Sequence, residues 1–258
     1  MIPKIAIRHS RFTIRQRHHM HQLGHTRSAH RADHLLQTPD TFVRAPLPGM
    51  RKATAIVHVA PAAGALFTQY TVEFEGGGEL APSPVQRFVY VLEGSLEVAG
   101  QQLTPGGYIY LPAQDDAYIV APGAARAAVI EKPYEPLEGR DRPGVLVGRE
   151  SESPASLLNG DPWLEVRSLI PDDAAFDFRV NTMTYQPGAS LAMVEIHVME
   201  HGLLMLEGGG IYRLGDCWYP VAAGDFIWMA PYCPQWFAAI GRIPAKYLIY
   251  KDWDRHPL

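Results

Sequence analysis

Two histidines and two carboxylates fall within seven positions in the stretch EIHVMEHG, Glu195 to Gly202. Two chemistries fit that spacing. On a helix, His197, Glu200 and His201 spell H-x-x-E-H, the inverted zinc-protease motif. On a strand running into a turn, Glu195, His197 and His201 instead make a set of one carboxylate and two imidazoles, with Glu200 directed elsewhere. The two readings require different metals, folds and reactions, so the elements that carry these residues decide between them.

Helical periodicity is scarce along the chain. Short runs rich in branched and aromatic residues dominate, punctuated by Gly and Pro: LFTQYTVEFEGGG, RFVYVLEGSLEVAG, GGYIYLPA, GIYRLGDCWYPV, GDFIWMAP and AKYLIYKDW. That pattern predicts many short strands with tight turns, and hence a β-sandwich or barrel. Within residues 193–199 the alternation places Met193, Glu195, His197 and Met199 on one face and Val194, Ile196 and Val198 on the other, a strand pattern. A helix would have to survive Gly202 and then EGGG, and no downstream helix is available to bring a third protease ligand. The inverted protease motif is therefore a coincidence of spelling, and a strand is expected here.

An internal repeat supports the β reading. FVYVLEGSLEVAGQQLTPGGYIYLPA, from Phe88 to Ala113, parallels LLMLEGGGIYRLGDCWYPVAAGDFIWMAP, from Leu203 to Pro231. Each copy has a strand ending in Leu-Glu-Gly, a hairpin, a glycine turn and an aromatic strand closing near Pro. Twelve positions separate Gly94 from Gly106 and sixteen separate Gly208 from Gly224, so the second hairpin is four residues longer. Two copies of one β unit imply a duplicated small barrel. Between them, the Pro-, Gly- and charge-rich segment 131–162 reads as the connection, with some β structure around GVLVG. The expected division is an N-terminal extension over 1–50, a first barrel over 51–145 and a second over 146–258.

Composition excludes several classes. A net charge of −4 gives no electrostatic case for nucleic acid, and no apolar run approaches the ~20 residues of a membrane-spanning helix. Two cysteines, Cys217 and Cys233, lack metal-pair spacing and read as ordinary barrel residues of a reducing compartment, which points to the cytoplasm. The first 32 residues hold no Asp or Glu but seven Lys and Arg. They lack the apolar core of a secretory signal. The bias is shared with organelle transit peptides, but a disordered leader over 1–23, or an extension upstream of a start at Met20, is the simpler reading. His18, His19 and His21 within it are weak metal candidates.

The repeated pattern of EG, a turn, PGG or AGD, an aromatic strand and Pro resembles the cupin family of double-stranded jelly rolls, and two in tandem resemble a bicupin. That resemblance implies that Glu195 and His197 project into the second barrel, joined by His201. It places the later ligand position at Gln235, in APYCPQWF. One carboxylate, two imidazoles and one amide oxygen suit a divalent ion such as Mn²⁺, one per chain. The first copy is an internal control. Aligning Leu92 with Leu206 sets Ala81, Ser83 and Arg87 against Glu195, His197 and His201, and aligning Gly106 with Gly224 sets Ala117 against Gln235. The first barrel thus keeps the framework and none of the ligands.

The ligand order Glu, His, His, Gln, with YLIYKDW downstream, is similar to the ureidoglycine aminohydrolases, manganese bicupins of purine nitrogen salvage. The similarity runs from Gly24 onward and is most specific over 185–253. It implies hydrolysis of (S)-ureidoglycine to (S)-ureidoglycolate with release of ammonia. It carries metal binding onto Glu195, His197, His201 and Gln235, substrate binding onto Tyr212, Tyr247 and Lys251, and catalytic roles onto Glu195 and Lys251. A fixed lysine charge and tyrosine hydroxyls match a small substrate bearing a carboxylate, an amine and a ureido group. Two alternatives differ in class. A cupin dioxygenase, decarboxylase or isomerase usually rests on three His and one Glu, which Gln235 disfavours. A non-enzymatic binding bicupin has no need of one complete ligand set. Barrel duplication also suggests a homo-oligomer.

Overall fold

The computed structural model describes residues 26–255. The basic leader and the histidines at 18, 19 and 21 lie outside the described residues. Among those described there is no α-helix, only short 3-10 turns between strands. The chain forms two β-barrels, a bicupin.

The first barrel is built on a nine-stranded sheet in which the Gln86–Glu93 strand runs between Gly107–Leu111 and Ala125–Lys132. The second curls an eight-stranded sheet, with the His201–Glu207 strand between Phe226–Met229 and Ala245–Lys251, against a three-stranded sheet of Cys217–Ala222, Gly209–Leu214 and Gln235–Ala239. The repeat seen in the sequence is a repeat of backbone. Gly94 and Gly208 close equivalent strands with φ of 72° and 62°. A Cβ on either would meet a carbonyl oxygen, Ala124 O at 2.3 Å and Pro244 O at 2.4 Å. Glycine is required at both for conformation and for space.

Alternation along the strands sorts the side chains into three cores. Residues of odd number on the Arg179–Tyr185, His201–Glu207 and Ala245–Lys251 strands face into the second barrel, where Met183, Tyr185, Leu203, Met205, Tyr247 and Ile249 pack with Phe237 and Tyr212. Residues of even number, Val180, Leu204, Leu248 and Tyr250, face the first barrel and meet Phe67, Phe88, Tyr108, Tyr110 and Ile130. The first barrel's own interior is a third cluster around Tyr70, Val72, Val89, Val91 and Ile109. The barrels are therefore joined by a hydrophobic core of their own, supplemented by buried polar contacts such as Lys132 Nζ donating to Asp177 Oδ2 at 2.9 Å.

Divisions at residues 50 and 145 do not coincide with the sheets. The His34–Gln37 strand, from the N-terminal extension, pairs with Phe226–Met229 in the second barrel's sheet. The Leu146–Arg149 strand at GVLVG pairs with Gly107–Leu111 in the first. Each barrel borrows a strand from beyond its own segment.

The strand expected over 193–199 is absent. Two bridges connect this region to the Gln235–Ala239 strand, Ser190 to Ala238 and Glu195 to Gln235. Between the bridges four residues on one side answer two on the other, so two extra residues loop out and break the ladder. Met193 and Ile196 are 70% and 59% exposed as a result, and no apolar face is buried. The segment is extended at Glu195, bends at Val198 and Met199, and enters a strand only at His201. Neither is it a helix, which removes the protease geometry.

Candidate metal and substrate site

The single bridge at Glu195 does the work expected of a whole strand. Glu195 N donates to Gln235 O at 2.8 Å and Gln235 N donates to Glu195 O at 2.9 Å. Residues opposed in this way send their side chains to the same face. Forty positions of sequence separation are thus closed by two backbone hydrogen bonds. Three residues before Gln235, Tyr232 N donates to His197 O at 2.7 Å. His197 Nε2 stands 3.1 Å from Glu195 Oε2. Its ring lies 5.3 Å from that of His201, at 73°.

His201 is fixed from the other sheet. It heads its strand opposite Lys251 on one side and Met229 on the other. Its ring is buried and Nδ1 has no hydrogen-bond partner. Burial, helped by the charge of Lys251 and by His197, pushes its pKa well below the usual imidazole range. The ring is therefore neutral, the form a metal ligand requires. A buried polar atom without a partner is costly. Here it points to a missing ligand.

Lys251 keeps some exposure, yet burial lowers the pKa of its amine, with the Glu195 carboxylate acting in the opposite sense. Tyr212 donates its O–H to Gln235 Oε1 at 3.2 Å, which fixes the amide and leaves the carbonyl a second lone pair. Tyr247 is hydrogen-bonded to Tyr185 across 2.8 Å and donates to Met183 Sδ at 3.3 Å. Burial pushes the pKa values of Tyr212 and Tyr247 well above the ordinary phenol range, so both stay protonated as donors. Beside Lys251 opens a cavity of about 220 Å³, lined also by Ser168, Arg179 and Asn181. A larger cavity of about 390 Å³ lies between the barrels at Tyr90, Glu150 and Lys246 and touches none of these residues.

All seven residues singled out in the sequence occupy the second barrel: Glu195, His197, His201 and Gln235 at its mouth, Lys251 in the same rank, and Tyr212 and Tyr247 deeper in. One further residue, Tyr185, has no place in the sequence reading, and one, Glu200, is placed there only in part. Tyr185 carries the hydrogen bond to Tyr247, and its inward alternation with Asn181 and Met183 was the available signal. Glu200 is directed away from the Glu195 set, as the strand reading implies, and is buried. It accepts from Leu66 N at 2.9 Å and Trp228 Nε1 at 3.0 Å, on the side facing the first barrel. Burial pushes its pKa up to about 7. Glu200 ties the first barrel's loop to the strand that begins with His201, and no sequence pattern announces that contact.

The donor chemistry fits a divalent ion: a carboxylate, two imidazoles, one of them neutral with an orphaned nitrogen, and an oriented amide oxygen. Comparison with known proteins extends the picture. A family model described as a cupin domain matches residues 181–250, which span this site. The (S)-ureidoglycine aminohydrolase of Arabidopsis thaliana is 40% identical over 242 residues, covering 91% of this chain and 80% of that protein. This chain belongs to the (S)-ureidoglycine aminohydrolase family. The family's protein in Escherichia coli strain K12 is 31% identical over 231 residues, covering 85% of this chain and 88% of its own. The crystal structure of Ylba from E. coli superposes with a TM-score of 0.80 at 27% identity, over 91% of this chain and 97% of that one. The aminohydrolase fold therefore extends over both barrels, beyond the segment matched by the cupin model.

Proposed function

We propose that the chain hydrolyses (S)-ureidoglycine to (S)-ureidoglycolate and ammonia at a Mn²⁺ site formed by Glu195, His197, His201 and Gln235. The observations that support this reading are the Glu195–Gln235 bridge, the His197 ring beside that of His201 and the unpartnered His201 Nδ1, in a chain 40% identical to a named aminohydrolase. When bound, the ion supplies Lewis-acid stabilisation and a template for a small chelating substrate.

The chain's own residues do the rest. Lys251 offers a positive charge to the substrate carboxylate. Because burial lowers its pKa, it also gives up a proton more readily than a surface lysine, which suits it to protonate the departing amine. The Glu195 carboxylate is the anionic group that faces both Lys251 and the amine. Tyr212 holds Gln235 in orientation, and Tyr247, steadied by Tyr185, would turn its O–H from Met183 Sδ toward the ureido end. The reaction adds water and releases ammonia at one carbon. Fixed contacts to carboxylate, amine and ureido group define one face of that carbon, and hence an (S) product.

A homo-oligomer in the cytoplasm completes the proposal. Exposed Met193, Ile196 and Tyr232 around the barrel mouth support the first part. The free Cys217 and Cys233 support the second, and no helix among the described residues is long and apolar enough to cross a membrane. The deciding experiment measures ammonia release from ureidoglycine, generated in situ from allantoate, with Mn²⁺ content determined on the same sample. Turnover by metal-replete protein is expected, and its absence sinks the reading.

A further inference from the structure

A second gathering of metal-binding atoms lies on the far side of Met229 from His201. Asp33, His34 and Cys233 present a carboxylate oxygen, an imidazole nitrogen and a thiol sulfur, all within 4.8 Å of one another. His34 and Cys233 are buried, while the Asp33 side chain is 46% exposed, so the cluster has one wet side. The fold assembles it from residues 200 positions apart. Met229 opposes His34 in the sheet, Ala230 N donates to Asp33 O at 2.9 Å, and Cys233 N donates to Ala230 O at 3.1 Å. Gly215 leaves the approach open, since a Cβ there would come within 2.7 Å of Asp33 Oδ2.

The hydrogen bonds of His34 allow two states without displacing the ring. Nδ1 is 2.8 Å from Asp33 Oδ1 and Nε2 is 2.9 Å from the Tyr219 hydroxyl. With no cation, Nδ1–H donates to Asp33 and the tyrosine O–H donates to Nε2. With a cation, the proton sits on Nε2 and donates to the tyrosine oxygen, which frees the Nδ1 lone pair and the Asp33 oxygen for the ion. Tyrosine serves both states because its hydroxyl donates and accepts. A ligating histidine whose other nitrogen is held in this way is the usual arrangement around a structural metal.

We propose that Asp33, His34 and Cys233 form a zinc site, with water completing a tetrahedron on the exposed side of Asp33. Ligand distances of about 2.0 Å to N and O and about 2.3 Å to S set neighbouring donors about 3.3–3.6 Å apart in a tetrahedron, so the three atoms, now within 4.8 Å of one another, need only draw together slightly. A thiolate beside an imidazole selects zinc, whereas the Glu195 set contains no sulfur. The site would clamp the strand beginning at His34 to the loop that delivers Gln235, two residues beyond Cys233. It stands independently of the reaction proposed above.

The test uses the full chain saturated with Mn²⁺ and titrated with Co²⁺ as a spectroscopic probe. One further equivalent is expected, with a sulfur-to-cobalt charge-transfer band in the near ultraviolet that Zn²⁺ abolishes. The band is lost in Cys233→Ser and persists in His201→Ala. Asp33→Asn, at a half-exposed position that tolerates the change, keeps the fold and weakens Co²⁺ binding by about tenfold or more, matching loss of a charged ligand. Absence of a band in the wild type, survival of the band in Cys233→Ser, its loss in His201→Ala, or unchanged affinity in Asp33→Asn would each overturn the proposal.

Discussion

In the first barrel Arg87 stands where the second barrel has His201, and Glu131 stands where the second has Lys251. The registers match: Arg87 opposes Leu111 and Glu131, just as His201 opposes Met229 and Lys251. The outcomes differ. Arg87 Nε donates to Glu131 Oε1 at 2.7 Å and its Nη1 donates to Ala81 O at 2.9 Å, so the rank is closed by a satisfied ion pair. In the second barrel the same rank holds an imidazole with an orphaned nitrogen and a lysine whose protonated form burial disfavours. In the first barrel this rank is satisfied by protein atoms alone, and in the second the imidazole nitrogen is not. On the function proposed above, duplication separates two demands on one fold, with an ion pair at this rank in one copy and chemistry at the same rank in the other.

The largest expected effect tests that division directly. His201→Ala should lower ammonia release by about 1,000-fold or more, the loss anticipated when several kcal/mol of Lewis-acid stabilisation goes. Steady-state assays with metal analysis check it, and a variant that keeps both metal and turnover would erase the distinction between the barrels.

Next is acid stability, which the comparison assigns to the first barrel. His58 is buried there between Gln37 Oε1 and Thr71 Oγ1. Burial, with a smaller contribution from Arg126, lowers its pKa from 6.5 to about 3. A base depressed on folding contributes stability that is fully present above its unfolded pKa and is lost as pH falls through the folded one. Between pH 6.5 and about 3 the wild type should therefore lose about 4 kcal/mol on this account alone. Urea unfolding of wild type and His58→Gln across that window should show a flatter acid limb in the variant, and parallel limbs would refute the assignment.

Arg87→Leu comes third. Removing one partner of a fully buried pair costs about 3–5 kcal/mol, but Glu131 retains solvent contact, so about 2 kcal/mol is expected, with ammonia release essentially unchanged. Chemical denaturation and activity measured together check both halves, and a large fall in turnover would show that the first barrel takes part in the chemistry. The smallest effect is at Tyr212→Phe, which removes one hydrogen bond to Gln235. A loss of about 1 kcal/mol, equivalent to a several-fold fall in Mn²⁺ affinity, should be visible by competition with a chelating dye.

The barrels and their duplication were legible because they rest on local signals: glycine turns, alternation and aromatic strands, repeated at an offset. The candidate site was legible as residue types, since Glu195, His197 and His201 lie close in sequence and the resemblance supplied Gln235. What failed was the reason for their proximity. Alternation over 193–199 predicts a strand, but alternation reports only what a chain would do with a partner beside it. Between its two bridges to the partner strand this segment has two residues more than the partner, so the ladder cannot be kept in register. The contacts of Glu200 and the Tyr185–Tyr247 bond were illegible for the related reason that they join segments far apart in the chain. Sequence spacing carries no trace of such pairs.

The exchanged His34–Gln37 strand has a consequence for synthesis. It leaves the ribosome before either barrel, yet its hydrogen-bonding partner, Phe226–Met229, is made almost last. At translation rates of roughly 5–20 residues per second the strand waits roughly 10–40 s, unpaired, while the first barrel folds beside it. Until then an open edge exists at each end of the chain, and two nascent chains on one messenger can satisfy them mutually. The polar and charged residues of SAHRADH, residues 28–34 leading into the early strand, suit a segment that has to stay soluble while it waits.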